Sequence, residues 1–216
     1  MKRIFCLETE WEQSVHDLKK KPIANTLLTF LENTDNVQQI YRSVATPVDF
    51  EYYISHLYQD AYNSYDTVYL CFHGSERSIH FADKSNIDLM EFAKEHENIF
   101  KGRNVHFGSC STLRMKEEDA CRFKSLTGAR MVTGYAKDVN LLDSFIFELW
   151  LLRTLLRHPG YAAVRLQKQR KKKWVIGQSN SNSKRYKPVQ TSAFIRGKAP
   201  NLATTPLFQV LLSAHL

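Results

Sequence analysis

Apolar positions along the chain follow two periods. Runs that are apolar throughout, or apolar at every second residue, predict strands at Arg3–Leu7, in "VQQIYRSV", in "TVYLCF" from Thr67 to Phe72, in "NVHFG" from Asn104 and in "RMVTGY". "TVYLCF" has no polar face, as expected of a central strand covered on both sides. Between these runs the period lengthens to that of a helix. Leu27, Leu28 and Leu31 share one face over Asn25 to Glu32. Thr46 as cap and Pro47 at the first helical position open a helix in which Phe50, Tyr53, Ile54, Leu57, Tyr58 and Ala61 recur at helical spacing. "NIDLMEFAKEH", with Asn86 as cap, is a third helix. "LRMKEEDACRFKSLTG" is a fourth, closed by Gly128, and "LLDSFIFELWLLRTLLRH" a fifth, stopped by Pro159-Gly160. "SIHFADKS" alternates and predicts a short peripheral strand.

Strands alternating with helices predict an α/β domain, a three-layer sandwich with a mainly parallel central sheet flanked by helices. The core spans residues 1–160. Residues 161–216 are expected to form a C-terminal extension packed on or completing it, in which the sequence predicts one more helix in "YAAVRLQKQRKKK", a polar loop in "GQSNSNSK", and a terminal strand or helix in "FQVLLSAHL".

The net charge of +8 comes in large part from Gln167–Trp174 and Ser183–Lys187. Such a tract suits an anionic partner, nucleic acid included, and equally a solvated face or tail. The longest apolar stretch, "FIFELWLLRTLL", is broken by charge well short of a membrane span. "MKRIFCLETEW" turns acidic too early for a signal peptide. A cytoplasmic protein with no membrane partner is expected. The four cysteines, Cys6, Cys71, Cys110 and Cys121, match neither a metal knuckle nor a disulfide framework, so free thiols are expected.

Two strands stop abruptly at reactive residues: "TVYLCF" at His73-Gly74, and "NVHF" at Gly108-Ser109-Cys110. The carboxyl ends of neighbouring parallel strands form one crevice. If these strands are neighbours, His73 and Cys110 emerge together as base and nucleophile of an acyl-transfer site. The backbone N–H groups of Gly74 and Cys110 are then candidates for an oxyanion hole. A helix directly after Cys110 would lower its thiol pKa through the helix dipole. A zinc site drawn from Cys71, His73, His80, His106 and Cys110 is opposed by strand alternation. A Cys-based phosphatase loop around Cys110 and Arg114 lacks the flanking glycines.

"VYLCFHG", "SIHFADKSNIDLMEF" and "NVHFGSCST" together resemble the CHAT branch of the caspase-like cysteine peptidases, and "ARMVTGYAKDVNLLDSFIFELW" resembles the strand, loop and helix that come after the cysteine in that group. The resemblance covers about Val68 to Trp150. It implies a caspase-like sandwich with His73 as catalytic histidine, Cys110 as nucleophile and no cofactor. It also implies a protein or peptide substrate, an activating partner protein or ligand, and a role in bacterial signalling or defence. The chain departs from the family in carrying "FGS" ahead of Cys110. Relatives that cleave after Arg or Lys use pocket acids, so Asp138, Glu8 and Glu10, each after a strand, are the candidate substrate-binding acids, with Ser109 beside the nucleophile; Asp143 is read as a helix cap. The alternatives are a catalytically idle interaction scaffold of the same fold and a nucleic-acid-associated protein acting through the basic tract.

Overall fold

The structure is a computed structural model. It describes residues 2–9, 22–158 and 160, and the backbone of 208–212. The basic tract and polar loop at 167–187, the helix expected after Tyr161, and Glu10 lie outside the described residues.

Among the described residues, nine strands and five α-helices run in chain order: β1 (Lys2–Thr9), α1 (Ile23–Asp35), β2 (Val37–Val44), α2 (Pro47–Ile54), β3 (Thr67–Cys71), β4 (His73–Ser75), β5 (Ser78–His80), β6 (Asn86–Asp88), α3 (Leu89–Glu95), β7 (Asn104–Phe107), α4 (Glu117–Thr127), β8 (Met131–Tyr135), α5 (Leu141–Arg157) and β9 (Phe208–Leu212). The main sheet has the order β2-β1-β3-β7-β8-β9; its first five strands are parallel and β9 runs antiparallel to β8. β4, β5 and β6 form a small antiparallel sheet after β3.

Strand alternation sorts side chains onto two faces. Phe5, Leu7, Val68, Leu70, Val105, Phe107 and Val132 join one core with Phe50, Phe92 and Phe123 of α2, α3 and α4. Ile4, Cys6, Tyr69, Cys71, Met131 and Tyr135 face the other way, onto Leu27, Leu28 and Leu31 of α1 and Leu151, Leu152 and Leu155 of α5. The result is the expected three-layer α/β sandwich.

The helix ends show where local sequence is decisive. Thr46 closes a capping box with Asp49. The helix it opens is shorter than its periodicity. After Ile54 the chain tightens into 3-10 turns at Ser55–Tyr58 and Asp60–Tyr62, burying Leu57 but leaving Tyr58 and Ala61 exposed. Asn86 is not the cap of α3. It starts β6, and Asp88 does the capping, accepting from Met90 N and Glu91 N while also holding the Arg77 guanidinium. Likewise Asn140, not Asp143, caps α5 through Leu142 N at 2.9 Å.

Asp35, at the end of α1, ties the two helices of the α1/α5 layer together. It accepts from Arg153 Nε at 2.7 Å and from Arg157, and Lys2 Nζ lies 3.6 Å away. Burial pushes the carboxyl up, but the two guanidiniums outweigh that and hold its pKa at about 2. The contribution is therefore present at neutral pH and is lost as pH falls from about 4 through 2. Because both arginines are largely exposed, screening reduces its worth to about 1 kcal/mol. Asp35→Asn should lower stability by that amount in urea melts at pH 7, and the gap from wild type should close as pH approaches 2.

Candidate active site

Three loops meet at the carboxyl edge of the main sheet, after β3, β7 and β8. β3 and β7 are neighbours in register, with Leu70 opposite Phe107. The pairing carries on beyond the strands: Gly108 N donates to Leu70 O at 2.8 Å, and Phe72 N donates to Ser109 Oγ at 3.2 Å. The next residues along the two segments are His73 and Cys110.

Position 74 then packs directly on the cysteine turn. A Cβ at Gly74 would lie 2.0 Å from Thr112 Oγ1 and 2.4 Å from Cys110 O. Glycine is needed there for space, and the close approach is to the 109–112 turn rather than to open crevice. Phe72 is fully buried and meets Phe50 and Phe81 edge-on at 5.7 and 5.3 Å, which fixes the chain just before His73. His73 is half-buried and pairs across the β4–β5 hairpin with His80, whose Nε2 lies 2.7 Å from Ser75 Oγ.

Cys110 is half-buried, with Sγ 3.9 Å from Val139 O, a contact that suits a thiol donor. Its backbone N–H meets no acceptor among the described residues, as an oxyanion donor requires. The helix expected directly after it is displaced. Cys110–Leu113 is a turn and α4 starts only at Glu117, so no helix dipole acts at the sulfur. The turn is set by Ser111, which adopts left-handed backbone (φ 56°). This conformation costs about 1 kcal/mol or more for a non-glycine residue. The β8 loop holds it in place: Ser111 N donates to Lys137 O and Ser111 Oγ to Asp138 Oδ1 at 2.7 Å.

The substrate-binding candidates divide. Asp138 is exposed and stands at this edge, one carboxylate oxygen engaged by Ser111. Glu8 is not available to a substrate. It is fully buried and accepts from Ile23 N, Ala24 N and Asn25 N at 2.8, 3.0 and 3.4 Å and from Tyr41 OH at 2.9 Å. It caps α1, whose own N-cap position is Pro22, a residue without a side-chain acceptor. Ser109 is also buried, and its hydroxyl serves Phe72 N rather than the crevice. Glu10 lies outside the described residues. The residues a zinc reading would gather are split: Cys71 and His106 are buried in or beneath the sheet, while His73 and Cys110 stand at its edge. A hollow of about 550 Å³ lies at the opposite, amino edge among Asp66, Arg103 and Arg130, away from this chemistry.

One group that no sequence motif singles out lies directly below. Glu148 of α5 is buried, accepts from Tyr69 OH at 2.5 Å and Tyr135 OH at 3.1 Å, and faces His106 Nε2 at 3.6 Å. The signal that could find it is one acid within "FIFELWLL", on the face of α5 that carries Leu151, Leu152 and Leu155 inward.

The fold and this edge define a mainly parallel α/β protein with cysteine and histidine at adjacent strand ends. Residues 1–154 match the family of unknown function DUF6642, and the chain belongs to that family. No curated protein matches it. Among solved structures, the Drosophila initiator caspase Dronc is similar at a TM-score of 0.44 and 11% identity, over 72% of this chain and 63% of that one. The chain thus spans less than two thirds of that caspase's length. Among the described residues, no helix is long and apolar enough to cross a membrane.

Gly74→Ala should cost roughly 1–3 kcal/mol in urea denaturation and slow alkylation of Cys110. Adding Thr112→Ala should restore little, because the Cys110 carbonyl still blocks the new methyl group. Full recovery would show that the Thr112 side chain alone keeps position 74 bare.

Proposed function

We propose that this protein is a caspase-like cysteine peptidase with a Cys110–His73 dyad. The observation that carries the reading is the β3–β7 register, continued by the Gly108 N–H to Leu70 O and Phe72 N–H to Ser109 Oγ bonds to within one residue of His73 and Cys110, which supports a dyad at one crevice. His73 takes the Cys110 proton, and the thiolate attacks the scissile carbonyl. The oxyanion forms against the Cys110 N–H and, with a modest shift of the substrate, the Gly74 N–H. His73 then protonates the leaving amine, and a water that it deprotonates hydrolyses the acyl-enzyme. None of these steps needs a cofactor.

The substrate in this reading is a protein or peptide with Arg or Lys at the cleaved position. Asp138 supports that choice. Its second carboxylate oxygen has no donor among the described residues, and a carboxylate holds a guanidinium through charge-assisted hydrogen bonds. With Glu8 committed to α1, Asp138 is the acid left for the role among the described residues.

Cys110→Ala and His73→Ala should each lower peptide hydrolysis roughly 10³-fold or more, and the double variant should be no worse than either, since a dyad acts as a unit. Multiplying losses, or turnover by Cys110→Ala, would sink the dyad. Asp138→Asn keeps an acceptor for Ser111 but loses the charge. It should cut kcat/KM for Arg and Lys peptides about tenfold to a hundredfold, as read on fluorogenic peptides differing only at that residue. Equal cleavage of those peptides by wild type and variant would place the pocket elsewhere.

A further inference from the structure

Glu148 is a buried carboxylate that the proposed chemistry does not use. It sits on α5, yet its contacts run to three successive strands of the sheet: Tyr69 of β3, His106 of β7 and Tyr135 of β8. These are the strands whose ends carry His73, Cys110 and Asp138. His106 is fixed between its neighbours. Its Nδ1 lies 2.9 Å from Thr133 Oγ1, and that hydroxyl in turn donates to Val105 O. Thr133 must then accept from Nδ1–H, which leaves Nε2 facing Glu148, while the ring stacks on Tyr69 at 5.5 Å.

The cluster also touches the cysteine loop. A Cβ at Gly108 would lie 2.7 Å from the Tyr69 ring and 3.1 Å from Glu148 Oε1. The backbone two residues before Cys110 therefore rests on the phenol and the carboxylate. Above it, Gly108 is tied to β3 by its bond to Leu70 O, with Cys71 Sγ 4.0 Å from its carbonyl.

We infer that Glu148 is a positioning residue for the dyad: it bonds β3 and β8 to α5 on either side of β7, beneath Gly108, and so holds Cys110 in line with His73. The inference rests on the dyad reading above. A full carboxylate suits this task because two phenols donate to it, one to each oxygen. An amide offers only one acceptor oxygen, so Glu148→Gln leaves one buried phenol without an acceptor for its proton at nearly unchanged volume. The other titratable groups around Glu148 are Cys6 of β1 and Cys71 of β3. Burial pushes both thiols up, as it does the phenols of Tyr69 and Tyr135, so all four stay neutral across the range tested.

The test uses alkylation of the full chain by iodoacetamide from pH 5 to 9, with each cysteine followed by peptide mass spectrometry. Exposed Cys121 is the internal reference. In wild type Cys110 should react faster than Cys121 at pH 6. In Glu148→Gln the Cys110:Cys121 ratio at that pH should fall about tenfold, with the Cys110 profile moving up toward that of an ordinary thiol, and kcat for peptides should fall more than KM changes. Leu155→Ala, fully buried on the same helix, should lower the melting temperature but leave the Cys110 profile in place. A wild-type profile in Glu148→Gln, or an equal shift in Leu155→Ala, would overturn the positioning role while leaving the dyad standing. A wild-type Cys110 no faster than Cys121 would overturn the dyad and the inference with it. If Glu148→Gln does not fold, Tyr135→Phe decides: it removes one donor without a cavity, and its ratio should fall about two- to threefold, an unchanged ratio counting against the role.

Discussion

The parallel register between β3 and β7 is the constraint on which the site depends. Parallel strands cannot slip by one residue without turning every side chain to the wrong face. Here both faces are buried, so slippage would drive Val68, Leu70, Val105 and Phe107 out of one core and Tyr69 and His106 out of the other. The register is thus enforced by two cores at once, and the reactive ends inherit that precision. Gly108 and Ser109 extend it by hydrogen bonding to Leu70 and Phe72, so the last fixed point on each chain lies within two residues of His73 or Cys110.

A buried carboxylate is a costly means of joining layers, because desolvating it offsets much of what its hydrogen bonds return. An apolar residue at 148 would pack against Leu151, Leu152 and Leu155 without that penalty. What the carboxylate adds is direction. Its two oxygens accept from fixed phenols on separate strands, whereas apolar contact tolerates sliding. The α1 end of the same layer uses the same device, with Glu8 at the end of β1 gripping the first turn of α1 and Tyr41 of β2. In both cases an acid near the carboxyl end of the sheet fixes a helix to the strands beneath the crevice.

The reach of each contact along the chain explains what is legible in the sequence. β3 and β7 can be placed closely because their apolar runs are bounded by polar or small residues that end them, and the Thr46 cap lies beside the helix it serves. His73 and Cys110 stand out because each interrupts such a run. The roles of Glu8 and Ser109 escape a sequence reading because their partners are distant: Glu8 meets residues 15 to 17 positions away, and Ser109 meets Phe72, 37 away. Both lie where a crevice residue would lie, and only tertiary contacts show that their oxygens are already taken. The pattern also starts α4 too early, because Leu113 and Met115 continue its apolar spacing. In the fold they serve the turn instead, and Leu113 N donates to Tyr135 O.

The loops after β7 and β8 are bonded to each other at four successive points: Cys110 to Val139, Ser111 to Lys137 and Asp138, Leu113 to Tyr135, and Arg114 to Ala136. They therefore shift as one unit or not at all. This couples specificity to competence in the proposed peptidase. A basic side chain drawn to Asp138 pulls on the residue that stabilises the left-handed Ser111, and so on the turn that presents Cys110. The chain's net positive charge opposes such a substrate only at long range, where salt screens it over about 8 Å. The contact between carboxylate and guanidinium acts within hydrogen-bond distance, where screening is weak. In the proposed peptidase the local acid therefore outweighs the global field, and the contact proposed to select the substrate is the one that acts on the turn carrying Cys110.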